Sequence, residues 1–409
     1  MAGIPVATAR VTEVALLPIH AAFEHYRTSV HPLPTHHISL ELALGAVLAE
    51  SPTARVALPR FTQSAVDGYA VRAADGMAAR LLVGTSAAGQ PAAVSVGPGQ
   101  AVRILTGGAI PDGADAVAMQ EVVDRHDDRI VLREPVRLGN AIRHEGEELT
   151  IGTVIAEAGQ RINAGLVAAL AMAGVGSVEV RRRPRIAVLV TGDEVVRVGE
   201  PLLPGQVYDA NGPLLRAWFV EHGYGEPVVA YVRDDEAALE EAMSAALDSA
   251  DLVITSGGVS VGDRDFVPLV ADRLGVRKVF WKVAQKPGKP LWFGMRDDKV
   301  LLGMPGNPAA VLVCLAVHAR AVLAQLEGET GEQPAWRSGV LASSVAADAQ
   351  RDRLVRMRVD TTDGATSLEL LPHQESHMLS NLASAHALVW LPARDVRFDA
   401  GERVRWLTL

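Results

Sequence analysis

Cysteine is almost missing from this chain: Cys314 is the single thiol among 409 residues. One thiol cannot close an intrachain disulfide, and it excludes thiolate-only zinc or iron–sulfur sites within one chain. A basic excess is missing too. Lys and Arg number 39 against 48 Asp and Glu, a formal net charge of −9. That balance argues against a generic nucleic-acid binder and leaves room for a local cationic pocket. No run reaches the roughly 20 uninterrupted apolar residues of a membrane span; the richest stretch, 311–323, contains His318 and Arg320. The opening MAGIP carries no basic segment leading into an apolar run, so no secretory signal is expected. The expectation is a cytoplasmic protein without membrane or nucleic-acid partners.

What is present suits a folded enzyme. Hydrophobic residues make up 49% of the chain and charged residues 21%, enough for a substantial core. At about 150 residues per domain the length predicts two to four domains. Residues 11–50 read as helical, with apolar positions three and four apart in LELALGAVLA from Leu40. Short apolar runs broken by Gly and Pro follow, and helical patterning returns at 163–173. The chemistry of spacing therefore predicts a helical N-terminal domain, 1–50 with 141–180, carrying an inserted β-rich domain at 51–140. The cluster RRRPR at 181–185 reads as a solvated linker.

From Ile186 onward strand and helix patterns alternate. IAVLV at 186–190 is wholly apolar, as expected of a strand buried on both faces. Strands are predicted at 228–232, 252–255 and 300–302. Helices are predicted from Asn211, read as an N-cap, from 236 behind Asp234 or Asp235, over 265–274 and over 309–326. The fold class is multidomain α/β: a doubly wound, mostly parallel domain at 181–330 with a separate β domain at 331–409.

Ligands in such sheets bind beyond the carboxyl ends of the strands, and the polar motifs fall there: TGDE at 191–194, RDD at 233–235, SGGVSVGDRD at 256–265 and MPGNP at 304–308. Glycines admit close backbone approach and helix starts bind phosphate. Carboxylates beside a phosphate need a bridging hard cation such as Mg²⁺. KPGKP at 286–290 sets Lys286 and Lys289 on a stiff turn, four residues after Lys282. Alone these are readable as solvated charge; beside an anion site they would hold a tetrahedral oxyanion. No Walker-type or dinucleotide glycine motif opens the first helix. His31, His36 and His37, and His373 with His377, lack carboxylate or cysteine partners at ligand spacing and read as surface or core histidines.

Seven motifs in order resemble those of the MoeA family, the molybdopterin molybdenumtransferases, whose eukaryotic relatives include gephyrin and the E-domain of its plant counterpart. They are FTQSAVDGYA (61–70), LTGGAIP (105–111), IRHEGE (142–147), TGDE, SGGVSVGDRD, KPGKP and PGNP (305–308). The resemblance implies a homodimer of four-domain subunits, with a MoaB/Mog-like doubly wound domain bearing the site and a C-terminal β-barrel-like domain. It implies that Asp67 enters the site from the partner's inserted domain. It also implies the reaction: adenylyl-molybdopterin and molybdate give molybdenum cofactor and AMP, with Mg²⁺. A pathway adenylyltransferase and molybdoenzyme apoproteins are the further partners it suggests.

Carried over by position, the catalytic set is Asp67, Glu194, Asp265, Lys286 and Lys289, with Glu194 and Asp265 as Mg²⁺ ligands. The substrate-binding set is Thr106, Thr191, Asp234, Gly257, Gly258, Ser260, Lys282, Pro305, Gly306, Asn307, Arg356 and Ser376. The chain departs from the family pattern at Ala310, where Ser is common, and at Glu375, His377 and His386 in the tail. Glu375 near an oxyanion would weaken its binding by like-charge repulsion. The alternative is therefore a non-catalytic or altered-specificity paralogue, with a preference for tungstate or a scaffold role.

Overall fold

The structure, a computed structural model, describes residues 16–259, 265–331, 333–361 and 366–409. The chain divides into two compact units, 37–180 and the combination of 1–36 with 181–409.

In the unit 37–180, six strands form one sheet in the order Ala116–Met119, Gly68–Val71, Gln100–Ile104, Arg80–Ser86, Arg129–Leu132, Val123–His126. Successive residues face opposite sides of a strand, so Tyr69 and Val71 join a cluster with Ile130 while Ala70 joins Val102 and Val117 on the other face. A third cluster gathers Leu40, Leu48, Ile162, Leu166 and Leu170 around the helix Ala164–Met172, which Asn163 caps by accepting from the Leu166 amide at 2.9 Å. Of the helical reading over 11–50, the helix Ile19–Ser29 forms, but Thr35–Ser39 is a strand and no α-helix forms over 40–49. Only a 3₁₀ turn, Leu40–Leu42, forms there; Gly45 sits at φ +75°, and Val47 and Leu48 make β-bridges to Arg161 and Val180. Tertiary pairing overrides the helical periodicity, and Leu42 and Leu44 are left exposed.

The other unit is built on a six-stranded sheet in the order Val228–Val232, Ile186–Thr191, Leu252–Ser256, Lys299–Met304, Trp292–Arg296, Arg277–Trp281. The first four strands run parallel; Trp292–Arg296 runs antiparallel to both its neighbours. The last two strands escape the strand–helix alternation in the sequence because they flank the lysine turn rather than a helix. One face packs against the helices Ile19–Ser29, Asn211–Glu221 and Pro308–Leu326, and the other against Glu236–Ser249 and Val267–Arg273. Among the described residues Pro308–Leu326 is long and apolar enough to cross a membrane, yet 83% of it is buried in the core. It includes a π turn at Leu315–Ala319.

The RRRPR segment at 181–185 is not a bare linker. Asp251, itself buried, accepts from Arg182 Nη1 at 2.8 Å and from the Arg185 amide at 2.8 Å, with Lys299 Nζ at 3.3 Å. Beyond the sheet, Arg337–Leu341, Asp352–Asp360, Ser367–Leu370, Ala387–Leu391 and Arg403–Thr408 close into a five-stranded barrel, because Asp352–Asp360 pairs with both Ser367–Leu370 and Ala387–Leu391. Gln285–Lys286 pairs in parallel with Asp352 and Arg353, which fastens the lysine turn to the barrel.

Candidate active site

The chain leaves Ile186–Thr191 for Val228–Val232 on one side and returns to Leu252–Ser256 on the other. Loops diverge at such a reversal and leave a crevice at the carboxyl edge. A cavity of about 500 Å³ opens there, walled by Thr191, Glu194, Asp234, Gly257, Gly258, Asp265, Pro305, Gly306 and Asn307 among others.

Local chemistry explains how these loops close on each other. Gly257 lies at φ +98°, and a Cβ there would sit 2.8 Å from the Thr191 hydroxyl, so only glycine lets the two loops meet. Thr191 Oγ1 donates to the Ser256 carbonyl at 3.3 Å. The loops carrying Asp193 and Asp234 are tied reciprocally: each backbone amide donates to the other's carboxylate, at 3.3 and 3.2 Å. Asp235 rather than Asp234 caps the following helix, accepting from the Ala238 amide at 2.9 Å.

Asn211 is not the cap that its position suggests. Asp209 accepts from the Asn211 and Gly212 amides at 2.8 and 3.0 Å, and from the Tyr231 hydroxyl at 2.8 Å. Burial and this bond raise the Tyr231 phenol above its ordinary value. The Asn211 carboxamide instead donates to Ser256 Oγ and to the Gly306 carbonyl, both at 2.7 Å, pinning two glycine loops together. Asp209 and Asn211 both line the cavity. The D-x-N spacing is their sequence signal, and it reads equally as an ordinary helix start.

A second cavity of about 250 Å³ shares Pro290, Pro305 and Asn307 with the first. Lys286, Lys289, Arg351, Ser376, Ala310 and Glu375 line it. Asn307 stands at the junction and donates to Ser376 Oγ at 3.0 Å. The larger chamber thus carries carboxylates and glycine backbone, and the smaller one is cationic.

Two predicted residues of this unit stand elsewhere. Arg356 is fully buried and lines neither cavity; its Nε donates to Asn381 at 2.7 Å and its Nη2 to the His373 carbonyl at 2.8 Å, bracing the loop that carries Ser376. Arg351, which the sequence reading missed, supplies the guanidinium on the wall and is held by Asp348 at 3.0 Å. Lys282 also lines neither cavity: its ammonium lies 4.3 Å from the Trp281 ring centroid. Ser260 lies outside the described residues. Among the described residues, no three His, Cys, Asp or Glu side chains converge to hold a metal ion by themselves.

Asp67 and Thr106 belong to the unit 37–180 and meet there. The Thr106 amide and hydroxyl donate to Asp67 Oδ1 at 2.8 and 2.7 Å, and these bonds hold the carboxyl below its usual range. Asp67 is therefore an ionised acceptor at neutral pH.

Three family descriptions match in order: "MoeA N-terminal region (domain I and II)" over residues 17–174, "Probable molybdopterin binding domain" over 187–325, and "MoeA C-terminal region (domain IV)" over 338–409. A Haemophilus influenzae protein named molybdopterin molybdenumtransferase is 35% identical over 383 residues, covering 91% of this chain and 93% of that protein. A Staphylococcus epidermidis protein of the same name is 32% identical, with 90% of each chain covered. The crystal structure of a molybdopterin biosynthesis MoeA protein from Pyrococcus horikoshii OT3 is similar at a TM-score of 0.82 and 26% identity, covering 96% of this chain and 100% of that one. With relatives this similar along nearly its whole length, the chain belongs to the MoeA family.

Proposed function

We propose that this chain is a molybdopterin molybdenumtransferase: it takes adenylyl-molybdopterin and molybdate and yields molybdenum-molybdopterin and AMP. One observation carries the reading. A polar, glycine-walled chamber and a cationic chamber share Pro290, Pro305 and Asn307, so an extended adenylate and a small oxyanion can lie next to each other. The loops at Gly257, Gly258 and Gly306 admit the phosphates close to backbone. Lys286, Lys289, Arg351 and Ser376 bind and orient the oxyanion through charge-assisted hydrogen bonds.

Mg²⁺ belongs to the same proposal. Its shell commonly takes one or two protein carboxylates together with substrate phosphates, and Glu194 and Asp265 on the chamber wall suit that role with the adenylate bound. Bound there, the ion would supply positive charge against the phosphates. The chain's own residues then act by positioning and electrostatics, without a covalent enzyme intermediate. Cytoplasmic location and a homodimer, with Asp67 serving turnover from the partner's copy, complete the proposal; sedimentation of the purified chain tests the dimer.

AMP release from adenylyl-molybdopterin tests the reading, with Mg²⁺ present and molybdate added or withheld. Molybdate-dependent release is expected. Glu194→Ala and Asp265→Ala are each expected to abolish Mg²⁺-dependent release while circular dichroism stays that of the parent. Full activity in either removes its carboxylate from the mechanism. A tungstate arm tests the altered-specificity alternative, which Ala310 and Glu375 on the cationic wall favour.

A further inference from the structure

Behind the lysine turn lies a buried polar relay in an otherwise apolar core. Tyr26, Gln285, His318 and Cys314 are each at most 1% exposed. The Tyr26 hydroxyl meets His318 Nδ1 at 3.0 Å, and His318 Nε2 meets Gln285 Oε1 at 2.7 Å. Gln285 Nε2 donates to the Gly288 carbonyl at 3.2 Å, with Cys314 Sγ at 3.8 Å. A carboxamide oxygen only accepts, so His318 Nε2 carries the proton and Nδ1 accepts from Tyr26. Burial pushes the His318 imidazole down to about 3, which keeps the ring neutral at any ordinary pH, and its two bonds select the tautomer.

The relay ends on the turn itself. Gln285 adjoins Lys286, and Gly288 stands between Lys286 and Lys289. Gly288 is at φ +94°, and a Cβ there would run into the Gln285 carboxamide. His318 lies within the π turn Leu315–Ala319 of an otherwise α-helical segment. Turns of that kind are rare and recur at functional sites.

We propose that Gln285 and His318 are positioning residues for the oxyanion: the carboxamide, oriented by His318, holds the Gly288 carbonyl and thereby sets the spacing of the Lys286 and Lys289 ammonium groups. This rests on the oxyanion reading of the cationic chamber given above. Gln285 lies against the cationic chamber, but it is fully buried and its carboxamide is engaged by His318 and Gly288, so in this proposal both residues act through the turn. The Gln285 carboxamide is satisfied only when His318 and the Gly288 carbonyl are both in place, so the turn has one geometry rather than several. The larger chamber's contacts do not pass through this relay, so the two substrates separate its effects.

The test uses the full-length chain and steady-state AMP release, with direct calorimetric titration of adenylyl-molybdopterin. Gln285→Met is expected to raise KM for molybdate roughly tenfold, the scale seen when an outer-shell partner is removed. The expected kcat and adenylyl-molybdopterin affinity stay close to those of the parent. Tyr26→Phe, at the far end of the relay, is expected to lower the melting temperature and leave KM for molybdate unchanged. If Gln285→Met folds poorly, the pair Gln285→Met with His318→Leu removes that donor and acceptor together and leaves the Tyr26 hydroxyl without its His318 bond; its stability is expected to recover in part and its KM to remain high.

Recovery of KM with stability in that pair would reduce the relay to core packing and overturn the proposal. So would an unchanged molybdate KM in Gln285→Met, or a KM rise in Tyr26→Phe equal to that of Gln285→Met. Parent protein that releases no AMP with molybdate would sink the oxyanion reading itself. That result is distinct from active parent protein with an indifferent Gln285.

Discussion

Asp251 illustrates how a single buried carboxylate can organise the start of a domain. Burial pushes its carboxyl up, but bonds from Arg182 and Arg185 and the nearby Arg182 charge outweigh that and hold it well below the usual range. Because the folded value is depressed, this stability is fully present above the ordinary carboxylate range near pH 4 and is lost as pH falls below it. Asp251→Asn is expected to cost about 2 kcal/mol at pH 7, since the partly exposed Arg182, Arg185 and Lys299 lose charge-assisted bonds to a buried carboxylate. Urea midpoints should show the gap between parent and variant narrowing from about pH 4 downward. A constant gap would mean that the carboxylate's charge is not what matters. Glu194 was readable as a pocket residue because it stands three residues past the strand Ile186–Thr191, and Asp265 because it ends the glycine-rich stretch that follows Leu252–Ser256. Arg351 was not separable from Arg356: Leu354, Val355, Arg356 and Met357 are all buried, so this strand lacks the in–out alternation that would assign a face. His318 was equally hidden, since its partners Gln285 and Tyr26 lie 33 and 292 residues away in sequence.

At the scale of elements, two adjacent aspartates do different work. Asp235 caps the helix Glu236–Ser249, whereas Asp234 ties a loop and faces the larger cavity. Asp235→Ala is expected to lower stability by about 1 kcal/mol, the usual cost of an N-cap, with KM for adenylyl-molybdopterin unchanged. Asp234→Ala should do the reverse, raising that KM several-fold with little change in the urea midpoint. Equal effects from both would show that the loop and the helix start behave as one unit. The parallel strands were legible because residues buried on both faces leave apolar runs, and Ile186–Thr191 is buried throughout. The pair Arg277–Trp281 and Trp292–Arg296 was not legible, because its partnership is fixed by the sheet edge rather than by a local pattern. The expected helix over 40–49 failed for a related reason: its apolar spacing suits a helix, but Gly45 and the bridges of Val47 and Leu48 draw the backbone into extended pairing.

At the scale of the whole molecule, the order of the chain lets binding and turnover be tested separately. The unit 37–180 has its own apolar clusters, while Ile19, Ala22 and Tyr26 belong to the core of the sheet built from 181 onward. A fragment beginning at 181 would therefore leave Phe293, which Tyr26 meets edge-on at 4.8 Å, without its cover. The ends left by removing 37–180 nevertheless lie close together, because the Arg182 amide donates to the Pro34 carbonyl at 2.9 Å. Closing a loop that short adds little entropic cost. Residues 1–36 joined to 181–409 by a short Gly/Ser linker are expected to fold cooperatively and to bind adenylyl-molybdopterin within a few-fold of the parent, since both cavities are lined wholly from these residues. They are expected to release no AMP, because Asp67 and Thr106 leave with the excised unit. Calorimetric melting, substrate titration and AMP release together check the three parts. Parent-level release from the joined protein would remove Asp67 from the mechanism, and loss of substrate binding with a native-like melt would mean that the larger chamber alone does not hold the adenylate.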